Sequence, residues 1–108
     1  MKEIIAVIRP NRLHKIRNAF RPLEGFPGMS ISHIEGCSGH AGVEQNQTLK
    51  DELTNFTKKI RIEIVAPDEM VEDILRIIHD NAHTGQLGDG VVWVTEVNKF
   101  MRLCKVGA

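Results

Sequence analysis

Two segments of the sequence follow one plan, and this repeat constrains the fold more than any other feature. "IIAVIRPNRL" (4–13) and "IRIEIVAPDEM" (60–70) each open with an apolar, β-branched run and reach a proline. Apolar residues at helical spacing follow the proline in both. Such a run predicts a strand, proline ends it, and the change of spacing predicts a helix. The chain is therefore expected to contain two strand–helix units.

The remaining segments complete an order of strand, helix, strand, long loop, strand, helix, strand. The predicted strands span 3–10, 29–36, 59–67 and 91–97, the predicted helices span 12–20 and 68–83, and a short edge strand is possible over 99–106. Asp68 is the expected N-cap of the second helix, and Trp93 is expected in the core or at a subunit interface.

Two such units predict an α+β, ferredoxin-like βαββαβ sandwich, in which both helices cover one face of a four-stranded antiparallel sheet. The strands are apolar enough to leave a second hydrophobic face that no helix covers. Burial of that face requires a neighbour, so the pattern predicts that subunits associate through the sheet.

Length and charge narrow the class of protein. The chain has 108 residues, enough for one domain over 1–108, and its 14 basic residues balance 14 acidic ones. It carries no basic block interleaved with aromatics, which argues against nucleic acid as a partner. Apolar runs far shorter than about 20 residues and an N-terminus unlike a signal peptide predict a cytoplasmic protein that does not insert into a membrane. Two cysteines without a CxxC motif suit a reducing compartment.

Two segments carry little periodicity and are candidates for function. Residues 37–57 form a long polar stretch, which is uncommon in a compact domain unless it is functional or disordered. Residues 84–90, "TGQLGDG", place three glycines and an aspartate just before the last strand. Glycine clusters most often mark turns, but they also allow bare N–H groups to approach a phosphate. The cluster alone leaves both interpretations open.

Three ordered segments, "GMSISHIEG", "KIRIEIVAPDEMVEDILRII" and "HTGQLGDGVVWVTEV", together resemble the PII nitrogen-regulatory signalling family over nearly the whole chain. The resemblance implies a non-enzymatic homotrimer, with at most slow ATP hydrolysis. It implies adenine-nucleotide sites between subunits and a mobile loop over 37–57, the T-loop, that engages a target. The chain resembles divergent PII-like proteins that are encoded beside membrane transporters. A membrane transporter is therefore the expected partner.

The resemblance also implies a set of site residues, with ADP, AMP or ATP as ligand. The phosphate-side loop over 84–90 contributes Gly85, Gly88, Asp89 and Gly90, and the strand segments that enclose the nucleotide contribute Gly28, Met29, Ser30, Glu63, Ile64 and Val65. The root of the T-loop contributes Gly36, Cys37 and Ser38. Lys59 corresponds to a lysine of the pocket, and Arg102 corresponds to an arginine of the C-terminal segment (99–108).

Several positions depart from the family pattern. Val91 replaces a lysine and Cys104 replaces an arginine, so two cations that would face the outer phosphates are missing, and ADP or AMP should bind at least as well as ATP. His40 or its neighbours stand where the family has a glutamine for magnesium and 2-oxoglutarate, so neither is expected. Glu52 replaces the tyrosine that is uridylylated, and the chain contains no tyrosine.

Other candidate chemistry is weaker. Cys37 and His40 could ligate Cu or Zn, and a metal-responsive PII-like protein linked to metal efflux is the alternative function. His79 and His83 have the spacing of a helical zinc pair, but interaction with the helix dipole is the favoured interpretation. Cys37 and Cys104 of neighbouring subunits could form a redox-sensitive pair. No spacing of carboxylates or nucleophiles predicts an enzyme.

Overall fold

A computed structural model of the protein describes residues 1–37 and 56–104. Four strands and two helices follow one another in the predicted order: β1 (Lys2–Ile8), α1 (Leu13–Phe20), β2 (Ser30–Gly36), β3 (Thr57–Ala66), α2 (Val71–Ala82) and β4 (Gly90–Glu96). A 3₁₀ turn precedes each helix, at Pro10–Arg12 and at Asp68–Met70. Residues 38–55, which hold most of the expected T-loop, come between β2 and β3 in the chain and lie outside the described residues.

The sheet confirms the ferredoxin-like prediction. Its strand order is β2-β3-β1-β4, and each neighbouring pair is antiparallel. Such a crossover of two strand–helix units places α1 and α2 side by side on one face. The α+β, βαββαβ architecture expected from the repeated strand–proline–helix plan is the architecture observed.

The core lies between this face and the helices. The strands supply Ile4, Ala6 and Ile8 from β1 and Ile60, Ile62 and Ile64 from β3, while the helices supply Ile16, Phe20, Ile74 and Ile78. Alternate residues of a strand point to opposite faces, so the odd-numbered residues of β1 and β3 lie on the other face. We call that surface the open face, defined by Val7, Arg61, Glu63, Val65, Val91 and Trp93.

Trp93 lies on the open face and not in the core. Its side chain is 40 % exposed, and the guanidinium carbon of Arg61 lies 5.7 Å from the centre of its ring. Ile5, directly opposite Trp93 in the sheet, is buried on the same face. The sequence offered core or interface for Trp93, and the fold excludes the core while leaving the interface as a prediction.

Two local predictions were wrong. Asp68 is not a helix N-cap, because its carboxylate makes no capping hydrogen bond and instead accepts one from the Met1 amine at 2.8 Å. Residues 99–104 form no strand, and 105–106 lie outside the described residues. The side chains of Met101 and Leu103 are 80 % and 97 % exposed, so none of the described residues covers them.

The remaining differences concern element ends. Thr57 is the first residue of β3, so the expected loop 37–57 stops one residue earlier, and Gly90 is already the first residue of β4. Within the described residues, no helix is both long and apolar enough to span a bilayer.

Candidate functional site

The segment between α2 and β4 is a tight glycine loop. Gly85, Gly88 and Gly90 have φ angles of 84°, 89° and 121°, in the left-handed region that residues with a side chain rarely adopt. At Gly90 a Cβ atom would lie 1.9 Å from the carbonyl oxygen of Val7, so only glycine fits where β4 meets β1. The glycines predicted from sequence therefore do shape the loop 84–90.

Asp89 holds this loop together. Its carboxylate accepts hydrogen bonds from the backbone N–H groups of Thr84 and Gly85, at 2.6 and 2.9 Å, and from the Thr84 hydroxyl. The side chain is only 16 % exposed. The Thr84 hydroxyl first, then its N–H and that of Gly85, lower the pKa of the Asp89 carboxyl well below its ordinary value. Asp89 is consequently a fixed anion that closes the turn.

Two cationic side chains from elsewhere in the sheet region donate hydrogen bonds to carbonyl groups of the same loop. Arg9, just after β1, donates from Nη2 to the Leu87 carbonyl at 2.7 Å, and its Nε lies 3.4 Å from Asp89 Oδ1. Lys59, in β3, donates from Nζ to the Gly88 carbonyl at 2.9 Å. The sheet thus fixes two successive peptide groups of the loop.

Fixing those carbonyls orients the N–H groups of the same peptides. In a trans peptide the C=O and N–H groups point in opposite directions, so the N–H groups of Gly88 and Asp89 face away from Arg9 and Lys59. Among the described residues, neither N–H group has a hydrogen-bond acceptor. Successive main-chain donors of this kind are suited to bind an anion.

The charges around the loop favour an anionic ligand as well. Arg9 and Lys59 bring two positive charges near a single carboxylate, that of Asp89. Partial burial, followed by repulsion from Arg9, lowers the pKa of the Lys59 amine, while Asp89 acts in the opposite direction. A negative group placed here would relieve that repulsion.

A second group of predicted residues lies further along the same strands. Ser30 is directly opposite Glu63, and Glu63 and Val65 both lie on the open face. Glu63 accepts a hydrogen bond from Arg61 Nε at 3.0 Å. Lys59 and Glu63 are four residues apart on β3, so their Cα atoms are separated by about 13 Å at 3.3 Å per residue. The two groups are thus separated along one strand, a spacing suited to an extended ligand.

The fold restricts what some predicted residues could contribute. Ile64 points into the core and is 1 % exposed, so only its main chain could meet a ligand. Met29, beside Gly28 with its φ of 102°, packs partly against the core as well. The family resemblance implies Glu63, Ile64 and Val65 as one group of site residues. Alternation along β3, however, points the Ile64 side chain to the face opposite to that of Glu63 and Val65.

The remaining predicted residues stand apart from the loop. Gly36 ends β2, and Cys37 is a free, exposed thiol beyond it. Ser38 and His40 lie outside the described residues, so the Cys37–His40 metal site stays a prediction. The guanidinium carbon of Arg102 lies 5.5 Å from the centre of the Phe100 ring, and no hydrogen bond joins Arg102 to the loop 84–90 among the described residues. Its expected role requires a neighbouring subunit.

Sequence reasoning did not assign Arg9 or His83 to the site, and it included Thr84 only as the first residue of the loop 84–90. The pairing of Ile8 with Gly90 carries Arg9 to the loop, a relation that no local pattern reveals. Thr84 and Asp89 do form a local signal, because a hydroxyl five residues before an aspartate can close a turn. His83 is the C-cap of α2, and its Nδ1 lies 3.6 Å from Asp89 Oδ2.

The fold and this loop define a small α+β sandwich with a preformed anion-receptive turn. Comparison with known proteins gives the family: the model of "Nitrogen regulatory protein P-II" matches residues 1–105. The chain is 33 % identical over 103 residues to nitrogen regulatory protein P-II 2 of Methanothermobacter thermautotrophicus, covering 95 % of this chain and 89 % of the relative.

Bacterial relatives agree. Nitrogen regulatory protein P-II of Haemophilus influenzae is 31 % identical, and nitrogen regulatory protein P-II 1 of Escherichia coli K12 is 32 % identical, each over 95 % of this chain and 91 % of the relative. The chain belongs to the nitrogen regulatory protein P-II family, whose members are regulators rather than enzymes.

Proposed function

We propose that this protein is a cytoplasmic, homotrimeric signal-transduction regulator that binds an adenine nucleotide between subunits. Nucleotide binding controls the docking of residues 37–57 on a partner, a membrane transporter, and the protein itself turns over ATP slowly at most. The transporter rests on the resemblance of the sequence to divergent PII-like proteins.

One observation carries the nucleotide proposal: the outward N–H groups of Gly88 and Asp89 in a loop held by Arg9 and Lys59. These donors suit a phosphate. Glu63, which pairs with Ser30, lies about 13 Å along β3 from Lys59, where an adenosine group would be enclosed. The same peptide geometry accommodates any of ADP, AMP and ATP. Since Val91 supplies no charge after the loop, the outer phosphates gain little, and the three nucleotides should bind with similar affinity.

Isothermal titration calorimetry with ATP, ADP and AMP tests the site. Gly88→Leu should abolish nucleotide binding, because a side chain at Gly88 meets the Arg9 guanidinium, whose Nη2 would lie 3.2 Å from its Cβ. Gly25→Leu is the matched control, since Gly25 also has a positive φ, of 78°, and lies outside the loop. It should bind normally. Unchanged affinity in Gly88→Leu, or no heat from any nucleotide with the parent protein, would refute the proposal.

A further inference from the structure

Two histidines form a stacked pair at the C-terminal end of α2. His79 lies in the last turn and His83 is the C-cap, four residues later, so both lie on one face of the helix. Their ring centres are 5.0 Å apart and the ring planes differ by 13°. Both side chains are more than half exposed, which leaves the rings free to adjust and accessible from solvent.

Each ring has a carboxylate at the same nitrogen. His79 Nδ1 lies 3.3 Å from Asp80 Oδ1, and His83 Nδ1 lies 3.6 Å from Asp89 Oδ2. The second distance exceeds a hydrogen bond, but it still favours a proton on the nitrogen that faces the carboxylate. With Nδ1 protonated, the lone pair of each neutral imidazole is on Nε2.

This arrangement matches the surroundings of histidines that bind metals. Metal-ligating histidines commonly donate their second ring N–H to a carboxylate, which fixes the tautomer and raises the basicity of the ligating nitrogen. The helix dipole explains one histidine near a C-terminus, but it does not explain the two carboxylates at matching nitrogens. Asp80, next to His79 in sequence, and Asp89, which the glycine loop places beside His83, supply these carboxylates.

The geometry points to a bidentate site for a divalent transition-metal ion, bound through Nε2 of His79 and Nε2 of His83. Tetrahedral Zn²⁺ with Zn–N bonds of 2.0–2.1 Å needs the two nitrogens about 3.4 Å apart. To bind one ion, the two rings must each rotate out of their 5.0 Å parallel stack so that the Nε2 lone pairs converge, and both side chains are exposed enough to do so. The described residues offer no group of three ligating side chains, so water fills the other positions and the affinity is modest.

The site is distinct from both the glycine loop and the Cys37–His40 pair. It shares only Asp89 with the loop, as a residue that positions His83, and it requires no nucleotide. A failure of nucleotide binding would leave it unaffected.

Zn²⁺ titration of the full chain tests the site. The Cys37→Ser/Cys104→Ser protein serves as parent, because exposed thiols would otherwise compete for the metal. One Zn²⁺ per chain should bind with micromolar affinity in calorimetry. His79→Gln and His83→Gln should each weaken binding by at least about tenfold, and the Cε1–H NMR signals of these two histidines should shift first.

His14→Gln is the control, since His14 is an exposed histidine on α1 without a histidine partner four residues away. It should bind Zn²⁺ like the parent. The inference is overturned if His79→Gln or His83→Gln retains the parent affinity. It is equally overturned if the parent binds no Zn²⁺ up to about 1 mM.

Discussion

Single residues decide the geometry of the glycine loop, and Asp89 and Gly90 contribute in different ways. Asp89 supplies a charge that ties Thr84 and Gly85 to Arg9. Gly90 has no side chain, which allows β4 to lie against β1 at this point. The first contribution depends on protonation and the second on volume, so they can be tested separately.

Gly90→Ala should strongly destabilise the protein. The added Cβ would lie 1.9 Å from the Val7 carbonyl oxygen, so β1 and β4 must separate or the backbone must leave its φ of 121°. We expect a loss of about 3 kcal/mol or more in the free energy of unfolding, measured in urea. Gly85→Ala is the control, because its Cβ would meet nothing within 4 Å and only backbone strain of about 1 kcal/mol applies. Equal losses in the two variants would contradict this account.

Asp89 should make stability depend on acid pH. Its pKa is lowered in the native protein, chiefly by Thr84, so the native state favours the charged carboxylate. The stabilisation is complete above the unfolded pKa of about 3.9 and is lost progressively as the pH falls below it. The free energy of unfolding should therefore fall more steeply between about pH 4 and pH 2 in the parent than in Asp89→Asn. Parallel curves would show that Asp89 adds nothing.

The residue at position 91 should determine how strongly the proposed site favours nucleotides that carry outer phosphates. Val91→Lys places a cation directly after the loop, on the open face, where it should favour ATP over AMP by about tenfold or more. Val92→Lys is the control, since residue 92 pairs with Ala6 and lies on the helix side of the sheet. Calorimetric affinities for ATP and AMP measure the difference. An equal change in both variants would indicate a general charge effect.

At the scale of elements, the two helices stabilise the sheet through one apolar stripe each. In α2, Ile74 and Ile78 are buried, whereas Ile77 is only partly buried against the same cluster. The spacing of apolar residues in the sequence placed this stripe correctly.

Ile74→Ala should destabilise the protein by about 2–5 kcal/mol, because it leaves a cavity under a fully buried side chain. Ile77→Ala removes the same atoms from a partly exposed position and should cost clearly less. Urea unfolding of both variants gives the comparison. Similar losses would mean that α2 is rotated relative to the sheet.

Periodicity and proline placement predicted every strand and helix of the sandwich, because both are local properties of the chain. The two wrong predictions concern partners far apart in sequence. Asp68 is a residue type that is common at N-caps, and it stands just before the predicted helix. Its carboxylate instead forms an ion pair with the amine of Met1, which is far away in sequence. Phe100, Met101 and Leu103 have apolar side chains suited to a strand, but all three are exposed in the part of the chain that the structure describes.

The residues of the candidate site also fall into two groups, those that a local sequence motif reveals and those that only the fold brings together. The four residues Gly85, Gly88, Asp89 and Gly90 occur in one short motif, so sequence could find them. Arg9 reaches the loop only because β1 pairs with β4, and the burial of Ile64 follows from the pleat. Residues that meet through strand register could not be predicted from a motif.

At the scale of the whole molecule, the sheet has one covered face and one open face. Val91 is 60 % exposed and Trp93 is 40 % exposed on the open face. With Val7 on the neighbouring strand β1, these side chains form an apolar surface that a second subunit could bury.

Trp93→Asp should dissociate the proposed homotrimer, because it places a charge among the apolar side chains of the open face. Sedimentation equilibrium should then give the mass of one chain, with far-UV circular dichroism unchanged. Ile31→Asp is the control, since Ile31 is another exposed apolar residue but lies on the helix side of the sheet, opposite Ile62. A trimeric Trp93→Asp protein would exclude the open face as the interface.

The stacking of Arg61 on Trp93 also determines what can be seen optically. Trp93 is the single tryptophan and the chain has no tyrosine, so nearly all intrinsic fluorescence originates from one ring on the open face. Its emission reports on that surface alone: a change in wavelength or polarisation on dilution or on ligand addition would register events at the sheet without any label. The protein thus carries its own single-site probe.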